Sequence, residues 1–380
     1  MSRSGSVLFH PKNIGPVKIM NRFMRSATWD GFGDSNGFPE DEHFEMMIYL
    51  AQGMVGLICP SDVEVDNKYI RARKYGINKP EYVEAWKGVI ESIHTRGNKV
   101  MFQLNHIGPE RPTQLAPDQS ELTNGQIEEY IDHYVQSALK SFEAGCDGIQ
   151  LHGAHGFFLS NFLSPARNKR TDRWGGSTEN RARIIKEIAS EIRKKLGDNQ
   201  EYFLSLKMNG SDIDPQGLTP SLAGELVHEL NGSIDMFEIS CNVTTPYHQI
   251  ASDFNKAALV KDVPKEKHEE ALQNARKLLD GVKFTEEFNK PYLEVIRKMN
   301  PDATLALVGG NRQFDKMEKL VKSGLADFVS ISRPLLKNPF LIKEMYEGKA
   351  SKSDCINCGS CLINSDYGGV YCRVNKERIW

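Results

Sequence analysis

His152 and His155 stand three residues apart at the end of an apolar run, Gly148-Ile149-Gln150-Leu151. Two imidazoles aimed at one spot can grip a carbonyl or nitro oxygen and stabilise negative charge as it develops there. Plainer readings are two satisfied core imidazoles, or half of a metal site. A metal needs further ligands, and the nearby Asp172 and Glu179 are better placed to order the loop that follows. A second constellation lies near the C-terminus, where Cys355, Cys358, Cys361 and Cys372 cluster in a short stretch. Four thiolates so spaced suit a [4Fe–4S] cluster or tetrahedral zinc, and free thiols packing a loop are the simpler reading. Cys59, Cys146 and Cys241 sit alone on or beside apolar runs and read as small buried thiols.

Positioning such groups requires a frame, and the chain supplies one. Short apolar runs near Phe23–Ala27, Val55–Pro60, Lys99–Leu104, Gly148–Leu151, Tyr202–Lys207, Met236–Ile239, Thr304–Val308 and Asp327–Ile331 read as strands. Helical spacing marks Asp41–Gln52, Tyr82–Arg96, Ile127–Ala144, Thr178–Lys195 and Thr219–Leu230 between them. Fully apolar strands alternating with helices argue for a parallel sheet, and eight of them argue for an α/β fold of (β/α)8 barrel type. A doubly wound sheet is disfavoured because no strand leads into GxGxxG. Residues 244–290 form a long insertion after the sixth strand, whose charged middle is expected to hold a helix and to act as a lid, an interface or a plain solvated element. The barrel is expected over residues 1–348, and residues 349–380 read as a small cysteine-containing appendix.

Strand ends are where such a barrel keeps its chemistry. Gly309 and Gly310 follow the seventh strand, and Ser332 and Arg333 follow the eighth. Loops in those two places form the recurrent phosphate site of these barrels, glycines admitting the backbone and an arginine adding a bidentate contact. A tight turn is the structural alternative for the glycine pair. Ala27, Thr28, Gln103 and Lys207 close other strands and face the same mouth.

The stretch from Asp147 to Arg183 closely resembles the signature of the old yellow enzyme family of flavin-dependent oxidoreductases. Leu8-Phe9-His10-Pro11-Lys12, Asn21-Arg22, Gln103, His152 with His155, Phe162-Leu163-Ser164-Pro165, Asn168-Lys169-Arg170, Gly175-Gly176-Ser177, Glu179-Asn180-Arg181, Gly309-Gly310 and Ser332-Arg333 all fall in family order. The resemblance spans about residues 6 to 345. It implies noncovalent FMN reduced by NADH or NADPH, with hydride passing from flavin N5 to an electron-poor acceptor. Gln103 would then serve the pyrimidine edge, Lys207 would place positive charge near N1 and O2, and Ala27 and Thr28 would touch N5 and O4. His152 and His155 would hold the acceptor oxygen.

Two departures matter. The family usually carries a tyrosine two residues past the second histidine, where it protonates the acceptor's α-carbon, and here that position is Phe157. Three readings compete: solvent delivers the proton, Tyr247, Tyr292 or Tyr367 substitutes, or the reaction needs no such acid, as with quinones and nitro groups. The cysteine run resembles the [4Fe–4S] ligands of the branch that includes 2,4-dienoyl-CoA reductase and trimethylamine dehydrogenase, which places iron–sulfur ahead of zinc. That branch has one more residue between its second and third cysteines and continues into a nucleotide-binding domain; this chain ends at Trp380, so such a domain is expected to be absent. An oxidative amine-dehydrogenase-like enzyme feeding a partner through the cluster, and a non-catalytic barrel used as a scaffold, are the competing functions.

Composition bounds partners. Formal net charge is −2 and basic residues are scattered, which gives no support to nucleic-acid or membrane-surface binding. Apolar runs are too short to span a bilayer and the N-terminus lacks a signal-peptide core, so a cytoplasmic address is expected. A small-molecule electrophile is the expected partner, alongside a homo-oligomer or an electron-transfer protein.

Overall fold

A computed structural model of the chain describes residues 2–66, 74–106, 119–197, 201–242, 256–279, 284–363 and 369–375. Eight parallel strands form the barrel: Phe23–Arg25, Leu57–Ile58, Lys99–Asn105, Gly148–Gly153, Phe203–Asn209, Met236–Ser240, Leu305–Val308 and Phe328–Ile331. The eighth pairs back onto the first, Val329 with Phe23, and Leu57 with Lys99 joins the second to the third. The expected barrel and all eight expected strands are therefore present. The second is shorter than the Val55–Pro60 run, and the first stops at Arg25.

Alternation along the strands separates two cores. Met24, Leu57, Met101, Phe203, Met236, Ala306 and Phe328 face inward and form an apolar floor. An N-terminal hairpin, Lys12–Ile14 with Val17–Ile19, adds Ile14, Val17 and Ile19 to that floor. Gly148 leaves the room that the Phe203 ring fills, since a Cβ there would overlap the ring. The opposite faces of the strands pack against the surrounding helices in a larger cluster around Trp86, Phe102, Ile185 and Leu226.

Helix starts follow local capping chemistry. Thr123 and Gln126 form a reciprocal capping box, so the third long helix begins at Asn124, three residues ahead of the apolar stripe that predicts Ile127. Ser177 and Thr219 cap Thr178–Leu196 and Pro220–Leu230 in the same sense.

The lower rim carries a repeated device that periodicity does not reveal. Asp147, Asp235 and Asp327 precede the fourth, sixth and eighth strands, and each accepts the backbone N–H of the strand before: Val100 at 2.8 Å, Leu204 at 2.7 Å and Leu305 at 3.1 Å. A cation completes each clamp, Lys99 at 2.6 Å, Arg193 at 3.0 Å and Arg297 at 2.8 Å. Asn21 ties the first pair of strands, accepting from Phe23 N–H at 3.0 Å and donating to the Met54 carbonyl at 2.8 Å.

Three elements at the upper rim differ from expectation. Asp62–Glu64 and Tyr75–Gly76 extend the sheet alongside the third strand. A short helix, Phe158–Leu163, occupies the start of the expected loop. The insertion holds the expected helix, His268–Leu279, and a shorter one, Lys256–Val260. It docks on the C-terminal segment: Lys261 donates to the Asn375 carbonyl at 2.9 Å, and Tyr371 donates to Asp262. No helix among the described residues is long and apolar enough to cross a membrane.

Candidate active site at the mouth of the barrel

Directly above the apolar floor the barrel interior turns polar. Glu238, in the sixth strand, is fully buried. It accepts hydrogen bonds from Ser26 at 2.7 Å, Ser330 at 2.6 Å and Gln150 Nε2 at 2.9 Å. Gln103 donates to the Gln150 carbonyl at 2.7 Å, so the third strand joins the same network. Lys207 donates to Ser26 at 2.8 Å and lies 3.4 Å from Glu238. Burial pushes the Glu238 pKa up, but the Lys207 charge and the three hydrogen bonds outweigh it and hold the carboxyl below its ordinary value. An ionised pair thus sits inside the barrel with its oxygens saturated.

The imidazoles occupy the next level. His152 is buried, and its ring lies 5.2 Å from that of His155 at a nearly perpendicular angle. Phe157 packs on His152 with ring centroids 4.6 Å apart, so no hydroxyl stands where the family has its tyrosine. His155 adopts a left-handed backbone, φ +63°, which is strained for a residue with a Cβ. That turn aims its Nε2 at Ser240 Oγ, 2.8 Å away. Burial, the neighbouring His155 and the Lys207 cation push the His152 pKa well below its ordinary value. Burial and Lys207 push His155 down to about 3, although its surface is not fully covered. Both rings are therefore neutral near pH 7 and can donate hydrogen bonds without adding charge. Of the two carboxylates expected to order the following loop, Asp172 does so through Arg170 at 2.9 Å, whereas Glu179 makes only a 3.5 Å surface contact with Arg183. Asn168 does more than either, donating to the Phe162 and Trp174 carbonyls at 2.9 and 2.7 Å.

The loops after the seventh and eighth strands come together as the barrel closes. Thr28 and Ser332 hydroxyls are in hydrogen-bond contact, which joins the first and eighth strand ends. Ala27 packs beside them against the floor cluster. Asn311 Nδ2 staples the two loops through the Leu307 carbonyl at 2.7 Å and the Ser330 carbonyl at 3.0 Å. Gly309 and Gly310 have φ of +112° and +77°, and side chains there would overlap Phe288, Asn289 and the Glu287 backbone. Their own chain's close approach therefore requires glycine at both positions. Arg333 Nη1 and Arg312 Nε are buried without a partner among the described residues.

Arg333 also faces the cysteine appendix. Cys355, Cys358, Cys361 and Cys372 line one cavity together with Arg333, Lys337 and Arg373. Burial raises Cys361 to about 12 against the opposing pull of Arg333, and raises Cys372 as well. Among the described residues no three His, Cys, Asp or Glu side chains converge as ligands for a single ion. Cys59, Cys146 and Cys241 are buried thiols as expected, with Cys59 and Cys241 pushed up to about 12 by burial. Tyr292 packs outside the lumen, against Gly210, and Tyr247 and Tyr367 lie outside the described residues.

Sequence reasoning passed over Glu238, Gln150 and Ser26. The signal was available: a charged residue inside an otherwise apolar strand, Met236–Ser240, must be paired or it would not be tolerated there.

Residues 7–121 and 110–221 match the model of the NADH:flavin oxidoreductase / NADH oxidase family. An NADH oxidase from Thermoanaerobacter brockii is 26% identical, over 97% of this chain and 56% of its own length. An NADPH dehydrogenase from Clostridium acetobutylicum is also 26% identical, over 88% of this chain and 93% of its own. Among solved structures, histamine dehydrogenase from Rhizobium sp. 4-9 superposes with a TM-score of 0.75 at 22% identity, covering 96% of this chain and 52% of that one. The chain thus spans about half the length of some relatives and nearly all of others.

Proposed function

Since this chain belongs to the NADH:flavin oxidoreductase / NADH oxidase family, that of the old yellow enzymes, we propose that it is an FMN-dependent NAD(P)H oxidoreductase that reduces a small electrophile, an activated alkene, quinone or nitro compound. The observation that carries this reading is the stack at the mouth: two neutral imidazoles above a buried Lys207–Glu238 pair.

The residues suit a flavin nucleotide. Arg312 Nε and Arg333 Nη1 are unspent buried donors beside the late loops, as a phosphate needs. Ser332, Thr28, Gly309 and Gly310 would border it, while Ala27, Gln103 and Lys207 would line the ring. Bound there, FMN supplies a two-electron carrier that accepts hydride from a nicotinamide and yields it to the acceptor. Lys207 would favour negative charge at the ring edge, and Glu238 holds that lysine in position. His152 and His155 donate to the acceptor oxygen, and because both are uncharged they polarise it without protonating it.

The test is anaerobic mixing of the yellow protein with NADH or NADPH, followed by a survey of acceptors. Bleaching by the nicotinamide and recovery with an enone, quinone or nitroarene is the expected result. Bleaching by an amine alone would favour the dehydrogenase reading, and a colourless protein that cannot take up FMN would favour the scaffold.

A second reading concerns the appendix. Four cysteines share one cavity with three cationic side chains, a composition that would suit an anionic iron–sulfur cluster if the thiols were drawn together onto it. Iron and labile sulfide in anaerobically purified protein are expected, and zinc alone would point to the tetrahedral site.

A further inference from the structure

The family's proton donor is missing from its place, where Phe157 packs on His152. A different acid stands within electrostatic reach of that imidazole. The third and fourth strands pair Gln103 with Gln150 and Leu104 with Leu151, which sets Asn105 level with His152 on the lumen side. Asn105 donates to Asp62 Oδ2 at 2.8 Å, and the same oxygen takes a hydrogen bond from the Lys74 ammonium. Both members of the pair are almost fully covered, their side chains 6% and 7% exposed. The Asp62 and Lys74 charges both reach the His152 ring. Asn105 is itself completely buried, yet its Oδ1 has no partner among the described residues, so the polar lining at this level is built for one more group.

A buried ion pair contributes little to stability compared with apolar residues of the same size. Its position at the reacting level of the mouth gives it another use. We propose that Lys74, held by Asp62, is the general acid that protonates the acceptor carbon when the substrate is an activated alkene, in place of the absent tyrosine. The inference rests on the oxidoreductase reading above. In the step, the alkene β-carbon receives hydride and the π pair moves onto the α-carbon. There it takes the proton of the Lys74 Nζ–H, and the neutral amine then regains a proton from solvent. The acceptor gains two electrons and two hydrogens, and the reduced carrier loses a hydride. Asp62 holds the ammonium in place between turnovers, and Asn105 fixes the carboxylate.

Lysine can give up its proton where arginine cannot, and this separates acid from mere cation. The experiment is single-turnover oxidation of the pre-reduced holoenzyme by a cyclic enone and by a quinone, for wild type, Lys74→Met, Lys74→Arg and Tyr292→Phe. Quinone oxygens exchange protons with solvent and need no carbon acid. Both Lys74 variants should slow the enone step about 10²–10⁴-fold, far more than the quinone step. Affinity for p-nitrophenolate, read from the probe's own absorbance, should persist in Lys74→Arg and fall in His152→Ala. Phe157→Tyr should restore enone reduction in the Lys74→Met background. Enone reduction that survives in Lys74→Arg overturns the proposal, as does equal loss with both acceptors, a dominant effect of Tyr292→Phe, or a wild type that reduces quinones but no enone. Failure of NAD(P)H to reduce the flavin would instead sink the oxidoreductase reading itself.

Discussion

At the floor of the barrel Met24, Met101 and Phe203 fill the lumen, whereas two residues further along the chain Ser26, Gln103 and Ser205 take their places. Both levels are equally buried, but they are stabilised differently. The floor gains from removing apolar surface and needs no particular partner at any atom. The upper level carries a carboxylate, an ammonium and two amides that are tolerable only because each is matched to another strand. A barrel can be filled by either means; only the second leaves directed donors at its mouth. The rims repeat the contrast. Below, Asp147, Asp235 and Asp327 spend their oxygens on strand amides and cations. Above, the polar groups at the strand ends are side chains, His152 and His155 among them, with His155 held by Ser240 Oγ at 2.8 Å.

Breaking the upper level should have the largest effect. Glu238→Leu leaves Lys207 buried and unpaired and should cost about 3–5 kcal/mol in urea unfolding. Glu238→Gln, which keeps the hydrogen bonds, should cost distinctly less. Next in size, His152→Ala should slow the acceptor half-reaction about 10²–10³-fold in stopped flow, with little change in flavin reduction by NAD(P)H; equal loss in both halves would place this histidine outside the acceptor site. At the lower rim, Asp327→Ala leaves the Leu305 N–H without its acceptor and should cost about 1–3 kcal/mol. The acceptor rate of that variant should be unchanged, and a slowed acceptor step would show that floor and mouth are not separable.

The smallest effect is a pH trend. His155 is held neutral in the fold down to about 3, while an unfolded histidine protonates near pH 6.5. Between those values the unfolded chain binds the extra proton, so this contribution is complete above about pH 6.5 and declines as pH falls toward about 3. His155→Phe should flatten the stability profile in that window, measured by thermal unfolding across pH. A profile as steep as wild type would assign the acid lability to other groups.

Much of this frame could be read from the chain. Eight apolar runs spaced by amphipathic helices announced the barrel, and the paired histidines marked one strand end at its mouth. What escaped prediction has local causes. The Asn124 helix start depends on a Thr123–Gln126 exchange that precedes the apolar stripe. The Phe158–Leu163 helix is shorter than two turns, too brief for a period to register. Glycine at positions 309 and 310 is also demanded by the segment around Phe288, a close approach that no local pattern displays. Arg333, assigned to a phosphate, turned out to border the cysteine cavity too.

The eight barrel strands and the long helices between them were legible from residue type and period alone, because each depends on a few neighbouring positions. Which carboxylate meets which ammonium was not. Asp62 lies 12 residues from Lys74 and Glu238 lies 212 from Ser26, and no local pattern connects them. Those pairings exist only once closure of the barrel has set the strands in register, since that alone brings side chains of alternate strands to one height inside a single lumen.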